Sequence, residues 1–432
     1  MMNECGWRIG AAWGRLWRER SGNVASLFGL AALPMVMMLG GTADYLLVVE
    51  ARSKLGAAAD AAALAAVGKN AISLTSSNAQ NLANTVFTAQ VSGADVAAWV
   101  KTKTPSVTDN GTDRSATYTY TAEVPTSFLS LAGITKVEIA GTSKASASLP
   151  VYMDFYLLLD NTPSMGVAAT ASGINTMVAN TPDQCAFACH DTSTEPNDYY
   201  GLAKRLGVTT RIDVVRSATQ QLMDTAASSQ QVSNQFRMAI YSFGASGTAR
   251  GLNTVAALTA NLSSAKSSAG NLDLMTVPYQ GHDNDQYTDF DGVFSSLNSI
   301  VPNPGSGTSP SGTPQKVVFF VSDGVADAYY PATCNSGSGV GGGRCQQPIK
   351  LSNCTKLKNR GVKIAVLYTA YLPLPTNWWY VNTVAPWASQ IPNSMQACAS
   401  PGLYFEVSPT GGISEAMDAL FKKAVQSARL TN

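Results

Sequence analysis

Between Arg20 and Asp44 the chain runs for 23 residues, SGNVASLFGLAALPMVMMLGGTA, without a formal charge. As a helix rising about 1.5 Å per residue, this stretch is roughly 35 Å long, enough to cross a hydrocarbon core of about 30 Å. Arg8, Arg15, Arg18 and Arg20 precede it, whereas the nearest basic residues behind it are Arg52 and Lys54. That asymmetry places the N-terminus in the cytoplasm and the rest on the far side of the membrane. A cleaved signal peptide is the competing reading, but its apolar region usually spans about 7 to 15 residues and ends at an A-x-A-like site. The stretch here is longer and has no clean site, so a single membrane span is expected. In either case residues 51–432 are exported.

The remaining sequence excludes some function classes. At about 150 residues per domain, 432 residues suggest two or three units. Hydrophobic residues make up 45 % and charged residues only 13 %, and Lys+Arg 29 against Asp+Glu 28 leaves a net charge of +1. No basic field exists to release counterions from a phosphate backbone, so nucleic acid is not an expected partner. Two histidines, His190 and His282, leave little material for imidazole-rich metal sites.

Four segments follow: 1–20, a basic cytoplasmic segment; 21–50, the membrane helix; 51–150, an alanine-rich stalk helix and a small strand-rich unit; 151–432, a larger domain with insertions. Beyond Asp44 the sequence YLLVVEARSKLGAAADAAALAAV lacks proline and is rich in the best helix former, so the helix continues past the lipid surface. Ala57, Ala61, Leu64 and Ala65 form a small-residue stripe suited to close helix approach. A merely stable alanine helix fits equally well. Asp44 is expected at the headgroup level, or paired with a neighbouring membrane protein. Residues 68–114 are polar and without period, a helix-and-loop connector. SATYTYTAEV from Ser115 and ITKVEIAGTSKASASL from Ile134 alternate with period two, the pattern of antiparallel strands.

After Pro150 the pattern changes to fully apolar runs: YMDFYLLL ending at Leu159, FRMAIYSF ending at Phe243, KVVFFV ending at Val321 and VKIAVLYT ending at Thr369. Such runs suit parallel strands buried on both faces. Helical segments lie between them, from Arg211, Asp291 and Cys354, the last followed by Gly361 as a C-cap, with a final helix from about Ile413 to Ala428. The alternation predicts an α/β fold, a doubly wound and mostly parallel sheet. Residues 166–210 and 301–315 are long loops expected to be exposed and mobile.

Cys5 lies on the cytoplasmic side, and the other six cysteines form an even exported set. The pairing expected here is Cys185 with Cys189, Cys334 with Cys345, and Cys354 with Cys398, one of 15 possible connectivities. CAFACH, Cys185 to His190, has one residue too many between its cysteines for haem attachment. The glycine run GSGVGGGR from Gly337 lacks the Lys-Ser/Thr ending of a phosphate loop and lies between two cysteines, so it reads as a flexible disulfide loop. Trp378, Trp379, Tyr380 and Trp387 cluster in one segment, equally consistent with an interface and with local packing.

In an open parallel sheet, ligands bind beyond the carboxyl ends of the strands. The first apolar run of the larger domain ends in Asp160-Asn161-Thr162-Pro163-Ser164, which places Asp160, Thr162 and Ser164 two residues apart. The third ends in Ser322-Asp323-Gly324, and Thr288 stands in a turn that leads into a helix. Hydroxyls and carboxylates without nitrogen or sulfur suit a hard cation, Mg²⁺ or Mn²⁺.

DNTPSM after an apolar strand, a threonine-containing turn and VSDG after another strand resemble the von Willebrand factor A domain and its metal-ion-dependent adhesion site, D-x-S-x-S, then threonine, then aspartate. By position the resemblance implies Asp160, Thr162 and Ser164 for the first motif, Thr288 for the second and Asp323 for the third, with one metal position left for an acidic side chain of a partner. Thr162 departs from the pattern by a methyl group. RERSGNVASLFGLAALPMVMMLGGTADY followed by ARSKLGAAADAAALAA resembles the TadE/TadG-like proteins of tight-adherence (Flp) pilus assembly. The order of segments resembles the TadG type, which implies other pilus-assembly membrane proteins as partners and no enzymatic activity. Two alternatives stand beside this reading. One is a metal-free, pilin-like scaffold in which the stalk carries the function. The other is a Mg²⁺-dependent phosphohydrolase with Asp160 as nucleophile, in which Thr162 occupies the place of the expected second acid.

Overall fold

The computed structural model describes residues 22–111, 113–308, 314–330, 334, 337–339, 341–371, 373–407 and 412–430. The basic segment 1–20 with its arginines and Cys5 lies outside the described residues. The chain divides into two compact units, one up to Leu149 and one from Pro150.

The first unit is built on α1 (Gly22–Val67), 46 residues long, with α2 (Ser76–Val91), the short α3 (Val96–Trp99) and an antiparallel sheet of β1 (Val100–Asp109), β2 (Asp113–Pro125) and β3 (Lys136–Ser148) in the order β1-β2-β3. Alternate residues of β2, Ala116, Tyr118, Tyr120, Ala122 and Val124, are buried on one face, as period-two patterning requires. Against them α1 lays Ala51, Leu55, Ala58, Ala59, Ala62, Ala63 and Ala66, and α2 lays Ala79, Ala83, Phe87 and Val91. Small side chains bring the backbones close, while the rings of Phe87 and Tyr118, stacked 4.8 Å apart, fill the remaining volume. The expected stripe is thereby corrected. Ala57 and Leu64 face outward and Ala61 and Ala65 are only half-buried, because Leu55 and Val67 draw the helix round toward the sheet. Residues 68–114, read as a connector, instead supply α2, α3 and β1. Thr75 caps α2 by accepting the Asn78 N–H.

The second unit contains an eight-stranded sheet. Its principal strands are β4 (Met153–Leu159), β6 (Phe236–Ser246), β7 (Ala249–Thr259), β9 (Gln315–Ser322), β13 (Lys363–Thr369) and β14 (Tyr404–Val407), with the two-residue β5 (His190–Asp191) and β8 (Thr276–Val277) at one side. The six run in the order β7-β6-β4-β9-β13-β14, parallel except for β7. Numbered by chain position this is 3-2-1-4-5-6, the doubly wound order, with its switch point between β4 and β9.

Both faces are covered. Phe155, Leu157 and Leu159 of β4 join the core under α6 (Arg211–Ser229), α7 (Leu262–Ala269) and α11 (Ile413–Leu430), the helices of one face. Tyr156 and Leu158 join that under α8 (Phe290–Ile300), α9 (Leu351–Asn359) and α10 (Ile391–Cys398) on the other. A strand buried on both faces has no solvent-facing set of alternate positions, which is why β4, β9 and β13 read as continuous apolar runs with charges only near their amino ends. The register is fixed at the amino edge by Asp154. Buried in β4, it accepts from Arg237 on β6 (2.6 and 2.7 Å) and Lys316 on β9 (2.5 Å), the residues directly opposite it on the two neighbouring strands.

Residues 166–210, expected as an exposed loop, carry α4 (Ala171–Asn180), β5 and α5 (Tyr199–Arg205) and bury Met177, Ala186, Ala188, Tyr200 and Ala203. The Tyr199–Arg205 helix starts at Asp198, whose carboxylate accepts the N–H groups of Gly201 (2.9 Å) and Asp191 (3.1 Å). In the other long loop, Val301 is buried and the Gly307 carbonyl accepts from Tyr152 at 2.8 Å, while residues 309–313 lie outside the described residues. A small antiparallel sheet of β10 (Val325–Tyr329), β12 (Arg344–Pro348) and β11 (Ser338–Gly339) follows β9.

Candidate functional site

The carboxyl ends of β4 and β9 meet at the switch point, and all five sequence-predicted ligands converge there. Asp160 leaves β4 with its N–H on the Val321 carbonyl of β9 (3.0 Å), which holds the two strand ends together. Asn161 anchors the turn: its side chain donates to the carbonyls of Gly244 (3.0 Å) and Asp273 (3.2 Å) and accepts the Phe243 N–H (3.0 Å). Pro163 then opens a 3-10 turn over Pro163–Gly166. The result sets Thr162 and Ser164 beside Asp160, with the two hydroxyl oxygens 3.5 Å apart.

Thr162 Oγ1 donates to Asp160 Oδ1 at 2.7 Å and accepts from Thr288 Oγ1 at 2.8 Å. Thr288 is held in place by exchanging backbone hydrogen bonds with Asp327 of β10 (2.8 and 3.0 Å). Asp160 Oδ2 accepts from Ser322 Oγ at 2.6 Å. Asp323 follows, and the chain leaves it through Gly324 at φ +76, a left-handed conformation that a side chain would resist. The turn lets the Asp323 carboxylate accept the Val325 N–H at 3.2 Å, with the Ser164 hydroxyl near enough to favour its charged form.

Asp160 and Asp323 are fully buried. Burial, and then the charge of Asp323, pushes the Asp160 carboxyl well above the usual carboxylate range. The Asp323 carboxyl is also raised by burial, against the pull of Arg211. Two adjacent buried carboxylates ringed by hydroxyl oxygens form a site that favours a cation. The donor set, all oxygen, fits a hard divalent ion.

Arg211, absent from the sequence-predicted set, already brings one positive charge. It opens α6 behind the capping box of Thr210 and Asp213, fully buried, with Nη1 3.2 Å from Asp323 Oδ2 and 3.5 Å from the Ser164 carbonyl. Its guanidinium carbon lies 5.0 Å from the centre of the Tyr371 ring, and its Nε and Nη2 have no partner among the described residues. One signal was available in sequence: a basic residue in a first helical turn opposes the helix dipole and needs another reason to be there.

Ser164 and Thr288 also face a cavity of about 290 Å³ whose walls include Cys189, Arg344, Tyr371 and Trp379. Arg344 is locked by Asp327 (2.7 and 2.6 Å) and stacks on Trp379 at 4.4 Å. The tryptophan cluster therefore divides: Trp379 lines the cavity, Tyr380 and Trp387 are buried, and Trp378 is 72 % exposed.

Cys334–Cys345 and Cys354–Cys398 are bonded as expected, but Cys185 and Cys189 are free thiols. The bridge of Phe187 to Val167 and the entry into β5 at His190 hold the intervening chain, and the Cys185 thiol lies 3.6 Å from the Phe187 carbonyl instead. Burial raises both thiols, that of Cys189 to about 12. Alkylation of the denatured, unreduced protein should therefore label Cys185 and Cys189 and spare Cys334, Cys345, Cys354 and Cys398. Loss of the label at both would restore the expected third bridge.

Comparison with known proteins now bears on the N-terminal half. Residues 22–71 match the family model described as "Putative Flp pilus-assembly TadE/G-like". The TadE/G-like segment thus comprises α1 and the first residues after it. No curated protein matches the chain. Among solved structures, the vWF domain of the type V pili tip protein Mfa5 from Porphyromonas gingivalis is similar over 66 % of this chain and 97 % of its own, at 11 % identity and a TM-score of 0.37. The pilus adhesin SpaC from Lactobacillus rhamnosus GG is similar at 9 % identity over 76 % of this chain and 34 % of its own, TM-score 0.34. The PilB minor pilin from Streptococcus sanguinis is similar at 12 % identity over 76 % and 78 %, TM-score 0.34.

Proposed function

We propose that the chain is a membrane-anchored pilus-assembly or adhesion protein. Its second unit binds Mg²⁺ or Mn²⁺ through Asp160, Thr162, Ser164, Thr288 and Asp323, and through the ion an acidic side chain of a protein partner. The carrying observation is the convergence of these five oxygen-bearing side chains at the switch point, with two buried carboxylates that call for a cation. A bound divalent ion would neutralise them and offer a coordination position to a carboxylate from outside. The cavity reaching Ser164 and Thr288 gives such a group access. The TadE/G-like segment and the apolar length of α1 support anchoring in the inner membrane, with the basic N-terminus in the cytoplasm and residues 51–432 in the periplasm among other pilus-assembly proteins.

The geometry favours binding over catalysis. Both oxygens of Asp160 accept hydrogen bonds from neighbouring groups and the carboxylate is sealed from solvent, so it is poorly placed to attack a phosphate. Arg211 supports a second reading, a metal-free scaffold in which the guanidinium takes the place of the ion at Asp323.

Titrating the chelator-treated full chain in detergent with Mg²⁺ and Mn²⁺ by calorimetry, beside Asp160→Ala, separates the two readings. Saturable binding that disappears in the variant supports the metal site. A wild-type chain that binds neither ion leaves the scaffold.

A further inference from the structure

The first unit carries apolar surface in two places at one level of α1. Along the outside of the helix, Met35, Met38, Leu39, Tyr45 and Leu46 are exposed. Between β2 and β3 the chain turns through Thr126–Thr135, closed by the Thr126 N–H on the Thr135 carbonyl (3.2 Å) and containing a 3-10 turn over Leu129–Ala132. No residue between Glu123 and Lys136 is charged. The tip exposes Leu131 at 62 %, Ile134 at 48 % and Phe128 at 39 %. Polar residues are the rule at a hairpin tip that faces water, and three large apolar side chains on one such tip need another medium.

The tip is fixed against α1. Asp44 accepts the backbone N–H groups of Ser127 (3.0 Å), Phe128 (2.9 Å) and Leu129 (2.7 Å), so its buried carboxylate caps the 3-10 turn. Asp44 thus finds its partners within its own chain instead of in a neighbouring membrane protein. Gly40 lies under the Phe128 ring, where a Cβ would collide with it, and a Cβ on Gly41 would touch Leu129 at 3.4 Å. The rise from Gly22 to Gly41 is about 30 Å, one hydrocarbon thickness, so a span beginning at Gly22 ends where the tip sits. Beyond it the exposed charges begin, with Glu50 and Lys54 paired at 2.7 Å.

We infer that the Thr126–Thr135 turn is a second membrane contact: Phe128, Leu131 and Ile134 enter the outer interface of the bilayer that α1 crosses, with Asp44 as the positioning residue that holds the tip at that depth. The inference rests on the spanning reading of α1. A lipid surface fits better than a protein because the exposed side chains of the tip continue those of the helix at the depth where its apolar length runs out. An aromatic residue on each, Tyr45 and Phe128, suits the headgroup zone.

The test uses the full chain in vesicles of phosphatidylethanolamine and phosphatidylglycerol, with Cys5, Cys185 and Cys189 replaced by alanine. Nitroxide labels are placed singly at Met38→Cys, Leu131→Cys and, as a water-facing control at the other end of the sheet, Thr108→Cys. Power saturation compares relaxation by oxygen, which favours lipid, with relaxation by a nickel chelate, which favours water. The Met38 and Leu131 labels should both favour oxygen and the Thr108 label nickel, and adding Asp44→Ala should move Leu131 several-fold toward nickel. A Leu131 label as nickel-accessible as Thr108, with Met38 in lipid, overturns the inference and leaves the span standing. A Met38 label in water overturns the span itself. A Leu131 label shielded from both reagents and dipolar-coupled to a second label assigns the tip to another copy of the chain and likewise overturns the inference.

Discussion

Replacing Arg211 by methionine should make the stability of the second unit depend on divalent cations. In chelator, the variant keeps the volume of the side chain but leaves Asp323 as a buried charge without its counter-charge, a change that costs about 3 to 5 kcal/mol. In a unit of this size that corresponds to a fall of roughly 10 °C in melting temperature. If the site takes a metal, Mg²⁺ or Mn²⁺ should restore most of the loss, because an ion that binds the folded form stabilises it by mass action. The variant should also bind the ion at least about tenfold more tightly than the wild type. A unit positive charge within a few ångströms of a divalent ion costs several kcal/mol at an effective dielectric near 20. Thermal unfolding of the two proteins across a metal series reads both effects. A variant that melts low and ignores both ions would identify Arg211 as the permanent cation of the site and end the metal reading.

The second large effect is expected in the first unit. Arg114 is buried where the turn after α1 meets the sheet. Its Nε and Nη2 donate to the two carboxylate oxygens of Asp109 (2.7 and 2.8 Å), Nη2 also donates to the Leu74 carbonyl (2.8 Å), and Nη1 donates to that of Ala71. Arg114→Ala removes every one of these donors and should cost about 3 to 5 kcal/mol. Hydrogen exchange of the full chain should then show protection lost in β1 and in residues 68–75 while β4 is unchanged. Unaltered protection in β1 would show that the arginine is dispensable.

The same pair predicts an acid response. The Arg114 hydrogen bonds hold the Asp109 carboxyl below its ordinary value of 3.8, so its contribution is complete above that value and fades as the pH falls through the lower, folded one. Wild-type β1 should lose protection over that interval, and Arg114→Ala should show a flatter profile.

What the sequence revealed depended on how completely each segment is surrounded. The strands β4, β9 and β13 were legible because each is flanked by strands and covered by helices on both faces. β1 was not. It is an edge strand whose sequence, VKTKTPSVTD, buries only Val107 fully, and an alternation with one apolar member has no visible period. β7 pairs through a bulged register with β6 and shows the same mixed burial. The alanine stripe was misplaced for the opposite reason. From Ala57 to Ala66 nearly every position is small and apolar, so any face of the helix looks suitable, and the choice is made by tertiary packing.

At the site, Asp160 and Asp323 declared themselves by following apolar runs. Thr288 depends on an antiparallel bridge to Asp327, which no local pattern announces. Arg211 stands 51 residues after Asp160 in sequence and reaches the site only through the fold of the intervening insertion.

Through the long helix α1 the structure also has a mechanical consequence. Its 46 residues measure about 69 Å, and its second half is the spine of the first unit's core, gripped by β2, β3 and α2. Between Pro34, which cannot donate to the helical ladder, and the sheet the helix continues without interruption. A torque applied to the sheet is therefore carried along the helix as far as Pro34, where the hydrogen-bond ladder is interrupted, and rolling of the segment between Pro34 and the sheet swings the three strands with it. The sheet and the stretch of α1 from Pro34 onward thus form one lever arm, with the proline as the first place where the helix can bend.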